Sequence, residues 1–246
     1  MTVTDVNVVK SAIFERPDDA NKGTLGSLLC VCGSYGMAGA AVMSGKGALR
    51  TGIGLAKCAL PRSIYPIVAQ TILESVYYPL SENADGRISK VNVPFLVSES
   101  CKSSATLVGC GLGVCDDTLK IVFSLIENST TPLVLDADAL NCVAKQPEIL
   151  LRKKAPIIIT PHPGEMSRLT GLATPLVNAE RERVALDFAQ KYGVVTVLKG
   201  AGTVIASPNG KVLVNPTGNS GMATGGSGDA PVSYTHLRAH ETTLHL

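Results

Sequence analysis

The 246-residue sequence contains no Trp and only four Phe and six Tyr. It has no uninterrupted apolar run long enough to span a bilayer, no run of basic residues and no CxxC pair. Its net charge of +2 comes from 22 basic and 20 acidic residues scattered along the chain, which argues against a nucleic-acid-binding or membrane-surface protein. The seven cysteines are odd in number and lie mostly in apolar stretches, so we expect buried thiols in a reducing compartment.

The amino-terminal stretch MTVTDVNVVKSAIFERPDDANKG has early acidic residues and lacks an apolar segment followed by a small-residue cleavage site. We therefore expect no secretory signal and a soluble, cytoplasmic protein. Gly, Ala and Val are abundant, with 24 Gly in all. Such small side chains let helices, strands and ligands approach the backbone closely, which favours a parallel-sheet enzyme.

Short apolar segments alternate with segments of helical spacing from residue 26 onward. The pairs are GSLLCVCGS with GMAGAAVMSGKGALRTG, IGLAKCALP with RSIYPIVAQTI, ATLVGCGLG with DDTLKIVFSLIENS, PLVLDAD with ALNCVAKQPEILLRKK, and APIIITPH with PGEMSRLTG. This order predicts an α/β fold with a mostly parallel central sheet flanked by helices on both faces. From residue 193, three short strands and the turn Asn209-Gly210 predict an antiparallel edge. No linker or repeat divides the chain, which indicates one domain.

Glycine-rich or acidic stretches follow the predicted strands. They are GSYGMAGA, GCGLG, DADALN, TPHPGE and KGAGT. Because ligands of such sheets bind beyond the carboxyl ends of the strands, these stretches predict the active edge.

The stretch TGGSGD ends at Asp229 and follows the predicted hairpin. Its small residues allow backbone N–H groups to converge on an anion, and a following helix would add its positive end. Asp229 is then placed to accept a proton from a hydroxyl that attacks a phosphoryl group. Seen alone, such a stretch is more often a flexible Gly/Ser turn.

Two further stretches offer charged or polar side chains. Lys199 ends a strand at KGAGT, where it could meet a phosphate or belong to a surface turn. In TPHPGE, Pro163 suits the first position of a helix, and His162 is either a positioned polar contact or an acid or base. Glu165 follows it.

The acidic stretch LDADALN places Asp136 and Asp138 two residues apart, so along a strand they would point the same way. A magnesium or phosphate neighbourhood and a helix N-cap, with Asn141 on the first turn, both fit this pattern. VGCGLG lacks the final glycine of a dinucleotide-binding fingerprint, which argues against a fold built on it.

Taken in order, these motifs resemble the nucleotide-dependent NAD(P)H-hydrate dehydratase family, which has a ribokinase-like fold. The resemblance covers about Asn21 to Asp229 and includes NKGTLGSLLCVCGSYGMAGAAVMSGKGALRTGIGL, VGCGLG, LDADALN, TPHPGEMSRLTG and VLKGAGTVIASPNGKVLVNPTGNSGMATGGSGD. It implies repair of hydrated NADH and NADPH with ADP or ATP as phosphoryl donor, Mg²⁺ as cofactor and a homotetrameric assembly. The TPHPGE form resembles bacterial members, for which ADP is the expected donor.

The resemblance also implies roles for individual residues. The hydrate-binding residues would be Ala40, Gly113, His162 and Asp229, with Asp229 as catalytic base. The nucleotide-binding residues would be Lys199, Gly200, Ala201, Gly202, Thr203 and Gly228. Cys110 stands where the family generally has Pro, which we interpret as a mild change of loop.

The end of the chain departs from the family, which continues after GSGD with a hydrophobic helix. Here APVSYTHLRAHETTLHL follows instead, and VSYTHLRAHET resembles the translation of a transposase sequencing adapter. His236, His240 and His245 have the spacing of a zinc site but lack acidic partners. We therefore expect a ribokinase-like domain over residues 1–230, without its C-terminal helices, and a non-native tail over 231–246.

Two alternatives to the dehydratase remain open. One is a small-molecule kinase of the same fold, acting on a vitamin precursor, which would stop at phosphorylation. The other is a catalytically inactive nucleotide-binding fragment or sensor, which would bind without turnover.

Overall fold

The computed structural model describes residues 2–3 and 18–217. Its ten strands are β1 (Thr2–Val3), β2 (Ser27–Val31), β3 (Leu55–Pro61), β4 (Val76–Leu80), β5 (Ala105–Val108), β6 (Leu133–Leu135), β7 (Ile157–Ile159), β8 (Val195–Leu198), β9 (Thr203–Ala206) and β10 (Val212–Asn215). They form one sheet in the order β1-β10-β9-β8-β7-β6-β5-β2-β3-β4. All neighbouring strands are parallel except the β8-β9 and β9-β10 pairs. The predicted parallel sheet with an antiparallel edge is confirmed.

The helices surround this sheet. They are α1 (Ala38–Arg50), α2 (Tyr65–Ala69), α3 (Val93–Cys101), α4 (Asp116–Asn128), α5 (Asp138–Val143), α6 (Pro163–Thr170), α7 (Thr174–Ala179) and α8 (Arg181–Tyr192), with 3₁₀ turns at Arg62–Ile64, Lys90–Asn92 and Pro147–Arg152. Within residues 18–217, no helix is long and apolar enough to cross a membrane.

Apolar side chains fill a core on each face of the sheet. In β2, Leu28 and Cys30 face the core that contains Ala41 and Ala48 of α1, whereas the alternate side chain of Leu29 faces the other core. That second core is built largely from α4 and α8, with side chains such as Ile121, Leu125, Val184 and Phe188. Burial on both faces explains why the strands read as continuous apolar runs, and it confirms helices on both sides.

Some predicted elements differ from the structure. The predicted helix over 139–154 is wrong, because α5 ends at Val143 and a separate 3₁₀ turn begins at Pro147. Proline has no N–H group and its ring clashes with the preceding turn, so the helix cannot continue through it. The strand β4 and the helices α3, α7 and α8 were not predicted.

Candidate active site

Three polar side chains meet where β6, β7 and β8 end. The Asp136 Oδ1 atom accepts hydrogen bonds from Lys199 Nζ at 2.7 Å and from Thr160 Oγ1 at 2.8 Å. The backbone N–H of Lys199 donates to the Pro161 carbonyl at 2.8 Å, which joins the ends of β7 and β8. The neighbouring carboxyl ends of parallel strands therefore form one polar cluster.

The Asp136–Lys199 pair is largely removed from solvent, since the two side chains are 1% and 22% exposed. A buried carboxylate needs charge-assisted partners, and Lys199 and Thr160 supply them. The Cys110 thiol also lies 3.8 Å from Asp136 Oδ2. Cys110 therefore contacts this cluster. Both carboxylate oxygens of Asp136 thus have hydrogen-bond donors within the protein.

Asp138 has a different set of partners. The backbone N–H of Gly113 donates to Asp138 Oδ2 at 2.8 Å, and Asn141 Nδ2 donates to Oδ1 at 3.3 Å. The two carboxylates do not share the alternating geometry of a strand, because β6 ends at Leu135 and Ala137 has φ 49°. The premise that Asp136 and Asp138 both lie along a strand is therefore wrong. N-capping is also wrong, because the N-cap of α5 is Ala137 and no side chain caps it.

The ends of β5 and β6 are in close backbone contact at Gly109. This residue has φ 126°, and a Cβ atom there would lie 1.9 Å from the Asp136 carbonyl oxygen. Only glycine fits both the conformation and the space. The contact holds the GCGLG loop against the Asp136 segment.

His162 is the N-cap of α6, and Pro163 occupies the first turn as predicted. The His162 Nδ1 atom accepts from the backbone N–H groups of Gly164 at 3.0 Å and Glu165 at 3.3 Å. The Glu165 carboxylate accepts a hydrogen bond from the backbone N–H of His162 at 2.8 Å, and it also lies 3.3 Å from the ring Nε2 atom of His162. This is a capping box in which an imidazole replaces the usual hydroxyl.

The electrostatic environment favours a neutral imidazole. Burial lowers the pKa of His162, and the positive charges of Lys199 and Arg168 lower it further. Burial raises the pKa of the Glu165 carboxyl, against the opposing effect of Lys199. With Nδ1 accepting, Nε2 carries the proton and can donate to Glu165. His162 thus caps the amino end of α6 through Nδ1 and contacts Glu165 through Nε2.

Of the residues predicted to face the hydrate, Ala40 lies in the first turn of α1, whereas Gly113 and His162 lie in loops that follow β5 and β7. Ala40 lies against Gly111 of the GCGLG loop, since a Cβ atom on Gly111 would be 2.7 Å from the Ala40 Cβ. Gly113 lies against Arg87, whose Nε would be 2.5 Å from an added Cβ. Asp138 then links the Gly113 loop to Asn141.

The link continues to the helix that His162 begins, because Arg168 Nε donates to Asn141 Oδ1 at 2.9 Å. The structure therefore connects the loops that carry Gly113 and His162 through Asp138 and Asn141.

The predicted nucleotide turn has two glycines at positive φ and is partly exposed. Gly200 has φ 146° and Gly202 has φ 66°, which are conformations that favour glycine. The Thr203 hydroxyl donates to the Gly200 carbonyl at 3.0 Å. Ala201 lies at the exposed tip between these glycines. The turn begins at Lys199, whose ammonium group is held by Asp136.

Two cavities flank β8 and its neighbours. One, of about 520 Å³, lies at the amino ends of β7 and β8 and is lined by Lys153, Pro156 and Val195. The other, of about 570 Å³, lies beside the nucleotide turn and is lined by Arg181 and Gly202 among others. Only the second adjoins a predicted site residue.

Several predicted residues lie outside the described residues, namely Asp229, Gly228 and the histidines of the tail. Within the described part of the chain, no group of three or more His, Cys, Asp or Glu side chains could hold a metal ion. Two residues of this edge were missed from the sequence. Thr160 was visible in TPHPGE as a hydroxyl at a strand end, whereas Arg181 carried no local signal.

Comparisons with known proteins agree with this architecture. A family profile described as NAD(P)H-hydrate dehydratase matches residues 28–231. The chain is 33% identical over 223 residues to the ADP-dependent (S)-NAD(P)H-hydrate dehydratase of Bacillus subtilis, which covers 90% of this chain and 75% of that protein. It is 41% identical over 217 residues to the bifunctional NAD(P)H-hydrate repair enzyme of Thermofilum pendens, covering 88% of this chain but 41% of that protein. The chain therefore spans about two-fifths of the length of such bifunctional relatives.

Solved structures give the same relationship. The ADP/ATP-dependent NAD(P)H-hydrate dehydratase of Bacillus subtilis, co-crystallised with ATP and Mg²⁺, superposes with a TM-score of 0.82 at 30% identity and covers 99% of this chain and 87% of that one. A ribokinase-like superfamily protein of Enterococcus faecalis superposes with a TM-score of 0.81 at 21% identity, covering 99% and 85%, which supports the fold alone. By its profile match, its sequence identity and its ribokinase-like fold, the chain belongs to the NAD(P)H-hydrate dehydratase family.

Proposed function

We propose that this chain dehydrates the (6S) hydrate of NADH or NADPH at the expense of ADP. The ring hydroxyl of the hydrate attacks the terminal phosphoryl group of ADP, so that an O–P bond forms and AMP leaves. The phosphate ester then departs as inorganic phosphate while the ring loses a proton, which restores the double bond. The products are NAD(P)H, AMP and phosphate.

The joined loops at one edge of the sheet support this reaction independently of family membership. The loops after β5, β6, β7 and β8 are joined at one edge by the Gly113–Asp138, Asp136–Thr160 and Asp136–Lys199 hydrogen bonds. Holding a hydroxyl and a phosphoryl group in a fixed relative geometry lowers the barrier to the reaction between them. An edge whose loops are tied to each other supports such positioning.

We assign the residue roles as proposals within this scheme. Ala40, Gly113 and His162 would form the wall that meets the hydrate. His162 would orient it by polar contact, because Gly164, Glu165 and burial favour its neutral form. Asp229 would accept the hydroxyl proton.

The nucleotide would contact Lys199 to Thr203 and Gly228. Since the Lys199 ammonium group is bound by Asp136, the backbone of the exposed residues Gly200 and Ala201 is the part of the turn best placed for the nucleotide. Backbone N–H groups bind phosphate or base atoms without adding a mobile side chain.

Magnesium would enter with the nucleotide. Among residues 18–217 no side-chain cluster of three ligands is available, and Asp136 is committed to Lys199 and Thr160. Mg²⁺ commonly binds one or two carboxylates together with substrate phosphates and water, and it neutralises developing phosphoryl charge. A homotetrameric assembly stays a prediction, which light scattering of the purified chain measures.

The test is an assay of the purified chain with NADPH hydrate, ADP and Mg²⁺. We expect the nicotinamide absorbance to return, with AMP and phosphate released in equal amounts. Phosphate retained on the substrate would instead identify a kinase. ADP binding without any product would identify a nucleotide-binding protein, and either result overturns the proposed reaction.

A further inference from the structure

Arg181, the first residue of α8, contacts the start of the nucleotide turn. Its Nη2 atom donates to the Leu198 carbonyl at 2.8 Å and to the Lys199 carbonyl at 3.2 Å. These carbonyls are the last of β8 and the first of the turn. A planar guanidinium group can bridge two acceptors in a fixed geometry that an ammonium group cannot.

The position of this cation needs an explanation other than helix stability. The amino end of a helix carries partial positive charge, so an arginine there is disfavoured by the helix itself. Burial lowers the pKa of the Arg181 guanidinium, which is a further cost of placing the charge there. Among the described residues, the buried Arg181 Nε atom has no hydrogen-bond partner. The hydrogen bonds to the Leu198 and Lys199 carbonyls are therefore the interactions that stabilise the side chain in this position.

Gly200 packs directly on this guanidinium group. A Cβ atom on Gly200 would lie 2.9 Å from both Arg181 Nη atoms and 3.2 Å from Cζ. The Gly200 backbone, at φ 146°, lies against the Arg181 guanidinium group, and its carbonyl accepts a hydrogen bond from the Thr203 hydroxyl. Conformation and contact together require glycine here.

Arg181 also borders the cavity of about 570 Å³ beside the turn. Gly202, Val204 and Val214 line the same cavity. One side chain thus contacts both the backbone of the turn and the space next to it. A change at Arg181 is expected to alter the shape that the turn presents to a ligand.

We propose that Arg181 is a positioning residue that holds the Lys199–Thr203 turn in the conformation that binds the adenine nucleotide. This inference rests on the proposed function, in which the turn contacts ADP. If loss of Arg181 leaves the competent turn populated one-tenth of the time, the apparent affinity for ADP falls about tenfold. The chemistry at the hydrate is untouched.

The experiment compares Arg181→Met, Arg181→Lys and the control Arg152→Met in the 246-residue chain. Arg152 pairs with Glu127 on the surface, and its side chain is 63% exposed. We measure ADP binding by calorimetry and, with NADPH hydrate, the KM for ADP, the KM for hydrate and kcat. For Arg181→Met we expect Kd and KM for ADP to rise about tenfold, with kcat and the hydrate KM within about twofold. Arg181→Lys should be intermediate, and the control unchanged.

Chemical rescue separates positioning from general loss of structure. In Arg181→Ala, millimolar guanidinium chloride should restore part of the ADP affinity, whereas sodium chloride at the same ionic strength should not. A variant that merely unfolds more easily would show a lower melting temperature with an unchanged Kd for ADP at low temperature, and that result overturns the inference. A fall in kcat with an unchanged KM for ADP also overturns it.

The outcomes for the two proposals are distinguishable. ADP binding without turnover by the unmodified chain overturns the proposed reaction alone, since the effect of Arg181 is still read from the Kd. Absence of ADP binding by the unmodified chain overturns this inference together with the nucleotide part of the proposed function.

Discussion

Replacing Lys199 with Met removes the ammonium partner of Asp136 while keeping a side chain of similar length. The Asp136 side chain is 1% exposed, so its carboxylate is left buried with the Thr160 hydroxyl and the Cys110 thiol. Breaking a buried ion pair by removing one partner costs about 3–5 kcal/mol. Because Lys199 is itself 22% exposed, we expect the lower end, about 3 kcal/mol.

Urea and thermal unfolding measure this effect. For a domain of this size, about 3 kcal/mol corresponds to a fall in melting temperature of roughly 6–12 °C. The matched control is Arg152→Met, which removes the partner of Glu127 from an ion pair whose side chains are 63% and 35% exposed. An exposed pair contributes about 0–1 kcal/mol, so the control should unfold near the parent temperature.

A double variant sharpens the comparison. Asp136→Asn with Lys199→Met should be less destabilised than the sum of the single changes, because no unpaired charge remains buried. A free energy of unfolding for Lys199→Met within about 1 kcal/mol of that of the control would contradict a buried ion pair, as would single effects that simply add in the double variant.

Three further outcomes are expected. Gly109→Ala should lower the free energy of unfolding by about 3 kcal/mol or more, because the added Cβ atom would clash with the Asp136 carbonyl oxygen. The control Gly36→Ala, at φ 83° with open space around it, should lower it by about 1 kcal/mol. Equal losses for the two variants would contradict the close contact at Gly109. The folded-state pKa of His162 lies below its unfolded value, so its contribution to stability is present above the unfolded pKa and is lost as pH falls through the folded one. In His162→Gln the free energy of unfolding should therefore fall less steeply below pH 7 than in the parent chain. The difference should be no more than about 1 kcal/mol, because the ring is half exposed. An unchanged pH profile of unfolding would contradict this. Asp229→Asn should lower kcat by about 10²–10⁴ with ADP binding kept, and near-normal kcat would remove Asp229 as the base.

The layered fold could be predicted because its signals are local. Apolar runs between glycines mark buried strands, and Asn209-Gly210 marks the β9-β10 turn, where the two strands pair antiparallel. Other elements had weaker signals. Pro79 lies inside β4, and the helix α8 begins without a side-chain cap. The spacing of its buried Val184, Phe188 and Tyr192 could nevertheless have identified α8.

The side-chain partners in the site could not be predicted, because they depend on strand order. Lys199 and Asp136 are 63 residues apart and meet only because β6, β7 and β8 are neighbours. Likewise, the backbone of Ala137 turns at φ 49°, so the period of a strand no longer applies between Asp136 and Asp138. Sequence motifs indicated which loops form the active edge of the sheet. The tertiary contacts determined which side-chain atoms in those loops bind other protein groups.

The proposed reaction is tested most directly by following one oxygen atom. NADPH hydrate labelled with ¹⁸O in its ring hydroxyl is incubated with the chain, ADP and Mg²⁺, and the released phosphate is analysed by mass spectrometry. Attack of that hydroxyl on the phosphoryl group places the label in inorganic phosphate, with AMP as the other product. Label in water, or label retained on a phosphorylated nucleotide, would contradict the proposed dehydration.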